Sequence, residues 1–163
     1  MSRRRVVVTG LGCVSPVGNT VQSSWAQILA GQSGIDTITH FDASPFACHF
    51  AGEVKNLNLD DFIPAKEARS MDRFIHLGVV AGLQAIADAG LPTGDALSEE
   101  ASHRIGCLIG SGIGGLPLIE NMRDELMARG PRRISPFFVP ASIINMISGH
   151  VSMRCGLIGR AHV

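Results

Sequence analysis

Apolar and polar positions come in blocks along this chain. Arg4-Arg5-Val6-Val7-Val8-Thr9 is a short β-branched run ended by Gly10, and it predicts a strand buried on both faces. Gly10-Leu11-Gly12 turns the chain, and Ser15-Pro16-Val17-Gly18 continues the loop. Behind a capping Asn19 or Thr20, Val21, Trp25, Ile28 and Leu29 fall on one helical face, with Gly31 as the stop. Residues 32–65 read as irregular, broken by Pro45, Gly52 and Pro64, with one short strand over 50–54.

The clearest helix opens at Asp72, runs to about Ala89 and closes on Gly90-Leu91-Pro92. Phe74, Ile75, Val79, Val80, Leu83, Ile86 and Ala87 almost encircle it. A helix apolar all round belongs inside a layered structure. Residues 93–102 form a polar connection. Arg104–Ile109 is a second buried strand, feeding directly into Gly110-Ser111-Gly112-Ile113-Gly114-Gly115. Residues 116–128 then read as a helix broken by Gly130-Pro131, and Pro140 opens a last helix to about Met153. Strands alternating with helices predict an α/β architecture with mostly parallel pairing.

The chain has 163 residues, of which 45% are hydrophobic and 19 are glycine, enough for one domain with a sizeable core. Two readings fit the apolar excess: a large buried interface, or a piece of a bigger core. A net charge of zero gives no support for nucleic-acid binding. The charge is unevenly spread, however. Beyond Glu125 the chain holds Arg129, Arg132, Arg133, Arg154 and Arg160 with no carboxylate, either ordinary surface arginines or a docking patch for an acidic partner.

Cys13, Cys48, Cys107 and Cys155 show no C-x-x-C spacing, the usage expected of reduced cytoplasmic cysteines. The opening Met1-Ser2-Arg3-Arg4-Arg5 is followed by too short an apolar run for a secretory leader. No segment has the length to span a bilayer.

Gly110-x-Gly112-x-x-Gly115 follows a strand and precedes a helix, and so matches a dinucleotide-binding pattern. That chemistry also needs an acidic residue at the end of the next strand, to hold ribose hydroxyls. Glu120, Asp124 and Glu125 lie in the following helix instead. Glycines here serve close approach of the backbone to a neighbouring element or a bound chain. The four cysteines read as small buried hydrophobes, and no histidine spacing fits a metal. No cofactor is expected.

Several segments together resemble the beta-ketoacyl-acyl-carrier-protein synthases of bacterial fatty-acid elongation. They are Arg4–Gly12, Ser15–Gly18, Ala30–Ile35, Phe41-Asp42, Met71-Asp72, Arg104–Gly106, Ile109–Gly115 and Ser135–Pro140. Asn145-Met146, Gly149-His150 and Gly156-Leu157 complete the series. Their order across residues 3–159 makes the resemblance specific.

The resemblance implies a thiolase-like fold, of which residues 1–163 would be the first half of an αβαβα layering with a mixed, mostly parallel sheet. It also implies acyl transfer to a cysteine, then decarboxylative condensation with a malonyl group on acyl carrier protein, in a homodimer. Family members place that cysteine shortly after the segment matching Gly156–Gly159. The chain is therefore expected to end before its nucleophile turn and to be inactive alone. The alternative is a non-catalytic truncated partner, or a pseudogene product, that at most docks the carrier. Polyketide ketosynthases and their chain-length partners share the architecture.

By the same resemblance, Ile113 matches a residue lining the acyl pocket, and Phe138 one that a dimer partner contributes near it. Lys66, Arg69, Arg132 and Arg133 match the basic surface that holds acyl carrier protein with its acyl or malonyl phosphopantetheine. Ser70 stands where a further lysine is common.

Overall fold

The computed structural model describes residues 4–159 and the backbone of Ala161 and His162. In chain order the elements are α1 (Val21–Leu29), β1 (Ile35–Thr37), β2 (Phe50–Gly52), α2 (Ala65–Ala68) and α3 (Arg73–Asp88). Then come α4 (Glu99–Arg104), β3 (Cys107–Leu108), α5 (Leu116–Arg129), α6 (Phe138–Ser142), α7 (Met146–Cys155) and β4 (Ala161–His162). They form two compact units, one up to Asn58 with Gln84–Gly90, the other Leu59–Leu83 with the residues from Leu91 onward.

In the first unit α1 starts on a capping box. The Thr20 hydroxyl accepts the amide of Ser23, and the Ser23 hydroxyl accepts that of Thr20, satisfying two otherwise orphaned donors. Gly31 leaves the helix at a φ of +67°, as a C-terminal glycine should. The buried Ser24 hydroxyl donates to the Gly18 carbonyl at 3.0 Å, fixing the loop before the helix. Strands β1 and β2 pair antiparallel, with Asp36 opposite Ala51. Behind them the buried Glu53 carboxylate gathers the Thr39 amide and hydroxyl and the His40 amide. The Thr39 hydroxyl, then the two amides, hold that carboxyl below its usual range against the opposing cost of burial.

The expected strand over 4–9 is not one. Val6, Val7 and Val8 are 92%, 59% and 80% exposed, and no described strand pairs with them. A β-branched run adopts a ladder only where neighbouring strands supply partners. The chain becomes anchored at Gly10, where an added Cβ would lie 2.3 Å from the Ala85 carbonyl oxygen. There the Leu11 amide donates to Asp88 Oδ2 at 2.8 Å, and the Cys13 amide to Gln84 Oε1 at 3.2 Å. Trp25, Ile28 and Leu29 are likewise exposed along α1.

The second unit holds the main core, built from Ile63, Met71, Ile75, Val79, Val80, Ala141, Ile147, Val151 and Leu157. Helix α3 presents Gly78 and Gly82 toward α7. A Cβ on Gly78 would meet the Ile147 methyl carbon at 2.5 Å, and one on Gly82 would meet Val151 at 3.1 Å. The small residues of α3 thus set its approach to α7, rather than merely adding apolar area.

Strand 104–109 shrinks to β3, paired in parallel with β4 at Cys107–Ala161 and Leu108–His162. Helix α4 stands where a polar connection was expected. Ser98 caps it, Glu99 and Glu100 fill its first turn, and His103 and Arg104 its last, charges well placed for the helix dipole. The single last helix is instead two, α6 and α7, because Ile143 adopts an extended conformation after Ser142.

Candidate functional site

The glycine loop is held at both ends within the second unit. The Ser148 hydroxyl accepts the Ile109 amide at 2.9 Å where the loop leaves β3. Gly114 takes a φ of +83°, which disfavours any side chain. The Gly115 amide donates to the Ser142 carbonyl at 3.0 Å, and a Cβ on Gly115 would lie 2.9 Å from Ser142 Cα. Gly114 and Gly115 therefore serve close approach to α6, whereas a Cβ on Gly110 or Gly112 would meet nothing within 4 Å, so the close-approach reading does not extend to those two. Between α5 and β4 the described chain passes through a one-turn helix, α6 and α7, not the direct helix-to-strand return that carries the acidic ribose ligand of a dinucleotide site.

Ile113 sits at the loop tip and is 72% exposed. Phe138 begins α6 and is half-buried. It lines a crevice of about 50 Å³ with Arg69, Met71, Leu118, Ser135 and Phe137. That volume accommodates a few waters. The crevice brings Phe138 and Arg69 together, while Ile113 does not line it.

The basic residues divide. Lys66 and Arg69 lie in and just after α2, both exposed, one helical turn apart. Arg132 and Arg133 are exposed on a one-turn helix, Pro131–Arg133. Arg129 instead pairs with Glu125 at 3.3 Å, and Arg154 is drawn into an ion pair with Glu67. Arg160 lies outside the described residues. The C-terminal arginines are thus not one patch: two of them are engaged within the fold.

Sequence reading missed two side chains that organise this region. Asp72 caps α5 from outside, its Oδ2 accepting the Leu118 amide at 3.0 Å. Glu67 accepts from Arg154 across the unit. The signal for the first was present, since Gly115 at the α5 N-cap has no side chain with which to cap it.

Burial pushes the Cys107 and Cys155 thiols above their ordinary range; they are inert core groups. His150 is held below its ordinary value, first by burial and then by the Arg154 charge. Neither cysteine has the electropositive, accessible setting of a nucleophile.

A family model described as "Beta-ketoacyl synthase, N-terminal domain" matches residues 3–163. The chain belongs to the beta-ketoacyl synthase family. It is 55% identical over 159 residues to a 3-oxoacyl-[acyl-carrier-protein] synthase 2 of Vibrio cholerae, covering 98% of this chain and 37% of that protein. The Staphylococcus aureus 3-oxoacyl-[acyl-carrier-protein] synthase 2 is 48% identical over 156 residues, 96% of this chain and 37% of the relative. The chain thus spans little more than a third of the length of these beta-ketoacyl synthases.

Among solved structures, the ishigamide ketosynthase/chain length factor superposes with a TM-score of 0.84 at 28% identity, over 99% of this chain and 40% of that one. A beta-ketoacyl synthase from Burkholderia phymatum shares the fold, with a TM-score of 0.74 at 23% identity, over 97% of this chain and 38% of its own. So does a type II polyketide ketosynthase solved in complex with its acyl-carrier protein, with a TM-score of 0.70 at 24% identity over 96% and 40%. The α/β fold is therefore the thiolase-like one of the ketosynthases. Among the described residues no helix is long and apolar enough to cross a membrane.

Proposed function

We propose that this chain is the N-terminal half of a beta-ketoacyl synthase domain, from a condensing enzyme of fatty-acid elongation. The enzyme would take an acyl group from its carrier thioester onto a cysteine thiol, releasing the carrier thiol. Loss of carbon dioxide from a malonyl thioester would then supply the carbanion that displaces the enzyme thiolate and leaves a 3-oxoacyl thioester. The observation that carries this reading is the 55% identity to a 3-oxoacyl-[acyl-carrier-protein] synthase 2 across 98% of the chain. Identity this high across the chain favours fatty-acid elongation over the ketosynthase/chain length factor, which matches at 28%.

In this reading Ile113 lines the acyl pocket and Phe138 reaches toward the pocket of a second copy in a homodimer. Lys66, Arg69, Arg132 and Arg133 hold the acidic acyl carrier protein, charge attracting charge at an exposed surface. The enzyme works in the cytoplasm, in keeping with four free cysteines. The 163 residues alone do not condense, because the covalent step needs an activated thiol, and burial holds Cys107 and Cys155 as thiols. Cys13 is half-buried and Cys48 exposed, which the reading of all four as buried does not fit. They bond the Ser24 hydroxyl and the Phe50 carbonyl, neither of them a base.

The test is the intact mass of the native gene product, followed by assay with acyl- and malonyl-carrier protein. A mass well above 17.2 kDa, with 3-oxoacyl product formed, is expected. A product of 17.2 kDa that binds carrier without condensing would replace the enzyme reading with a docking partner. Condensation by the 163-residue chain would overturn the claim that it is inactive alone.

A further inference from the structure

Helix α2 has four residues, Ala65–Ala68. So short a helix does not hold itself together in water, and its N-cap, Pro64, makes no side-chain capping bond. Yet α2 and the residue after it carry Lys66 and Arg69, the first pair of basic side chains assigned above to carrier docking. Something outside the helix must hold its backbone.

Two side chains from other elements do so. Arg154, on α7, directs Nη2 to the Glu67 carboxylate and Nη1 to the Phe62 carbonyl at 3.5 Å. Its side chain is 20% exposed, while that of Glu67 is 52% exposed, so the arginine is a mostly covered post and the glutamate the arm that reaches it. From α3, His76 Nε2 donates to the Ala68 carbonyl at 3.0 Å, a second bond on an acceptor that also takes the Met71 amide at 3.1 Å and so a cross-link from α3 to the end of α2. Lys66 precedes Glu67 directly and Arg69 follows Ala68 directly. Each docking cation is therefore one residue from a tether point.

We propose that Arg154 and His76 are positioning residues for carrier-protein docking, acting through Glu67 and Ala68 to pre-set the backbone that presents Lys66 and Arg69. The inference rests on the docking reading above. Pre-organisation strengthens binding by reducing the ordering that association requires. The tether also gives Glu67 a sign opposite to its charge. For an acidic partner, removing a carboxylate beside two cations should tighten binding if charge alone matters. If the tether matters, removing it weakens binding.

The test measures affinity of the full chain for purified acyl carrier protein by fluorescence anisotropy, over a series of salt concentrations. The double variant K66A/R69A should weaken binding and flatten its salt dependence. Glu67→Gln and Arg154→Ala should each weaken it by roughly threefold to tenfold, with the salt dependence unchanged. The charge swap E67R/R154E should recover most of the loss, and circular dichroism with amide exchange over residues 64–71 separates local loosening from misfolding.

If K66A/R69A binds like wild type, the docking reading fails. If K66A/R69A weakens binding but E67Q tightens it, or R154A leaves it unchanged, docking stands and the positioning role is overturned. A swap that folds but recovers nothing also overturns it.

Discussion

Asp72 caps a helix to which it does not belong: its Oδ2 accepts the amide of Leu118 at 3.0 Å, 46 residues away in sequence. The same residue opens its own helix, its carbonyl accepting the Ile75 amide at 3.0 Å. One residue thus serves the N-termini of α3 and α5, the first through its carbonyl and the second through its carboxylate, and a helix dipole favours negative charge at that end. Helix α5 needs the help. Gly115 at its N-cap has no side chain to offer, and although Pro117 leaves one fewer orphan donor in the first turn, the Leu118 amide still needs an acceptor.

Asp72→Ala is accordingly expected to cost about 0.5–2 kcal/mol of stability, the range for losing a helix cap. Asp72→Asn should cost less, since the amide oxygen still accepts but carries no charge. Urea unfolding of the two variants checks this. An alanine variant with the wild-type midpoint would show that the α5 amides find another acceptor, and the cap would lose its significance for the glycine loop that precedes it.

The contact of Gly78 with Ile147 gives a second prediction. Gly to Ala inside a helix ordinarily stabilises by about 1 kcal/mol. Here the new methyl would lie 2.5 Å from Ile147 Cγ2 and 3.0 Å from its Cδ1. Ile147 is 3% exposed and β-branched, so it has little room to turn aside. Overpacking of this kind costs about 1–3 kcal/mol, and Gly78→Ala should be net destabilising despite its better helix propensity. In an Ile147→Ala background, itself destabilised by the cavity it leaves, the same Gly78→Ala change should cost far less or stabilise, because the new methyl then occupies space that the shortened side chain vacates. Failure of the pair to couple in a double-mutant cycle would sink the packing account.

What could be read from the chain was local. The Thr20 cap, Gly31 and Gly90 as helix stops, and the near-complete extent of α3 and α5 all follow from residues within one or two turns. The helix over Glu99–Arg104 was legible too. Ser98 followed by two glutamates, with His103 and Arg104 behind them, is a helix start and finish; high polarity disguised it as a connection. Long-range pairing was not legible. Val6, Val7 and Val8 have the composition of a buried strand, but a strand exists only with its partners. The basic residues show the same limit. Arg129, Arg132, Arg133 and Arg154 look alike in sequence, and only the fold sends Arg154 to Glu67 and Arg129 to Glu125. The candidate site was therefore visible as a set of residue types, while the division of labour among them was not.

That division of labour governs how the protein responds to acid. His150 and Arg154 stand one turn apart on α7, and burial, then the Arg154 charge, lowers the His150 pKa from its ordinary 6.5, with His76 adding to this and Glu67 opposing it. The unfolded chain therefore takes up this proton at a higher pH than the folded one. Stability is fully present above the unfolded value of 6.5. It falls as pH drops from there toward the folded value, and levels off below that. Glu53 also loses its contribution on acidification, but only below about its ordinary 4.5. Unfolding midpoints between pH 7.5 and 5 should therefore decline in the wild type and decline less in His150→Asn. Glu67→Gln should steepen the decline, because Glu67 is the one carboxylate favouring the imidazolium. A His150→Asn profile parallel to wild type across that range would mean the histidine titrates alike in both states, and the electrostatic coupling of α7 to α2 would have no thermodynamic consequence.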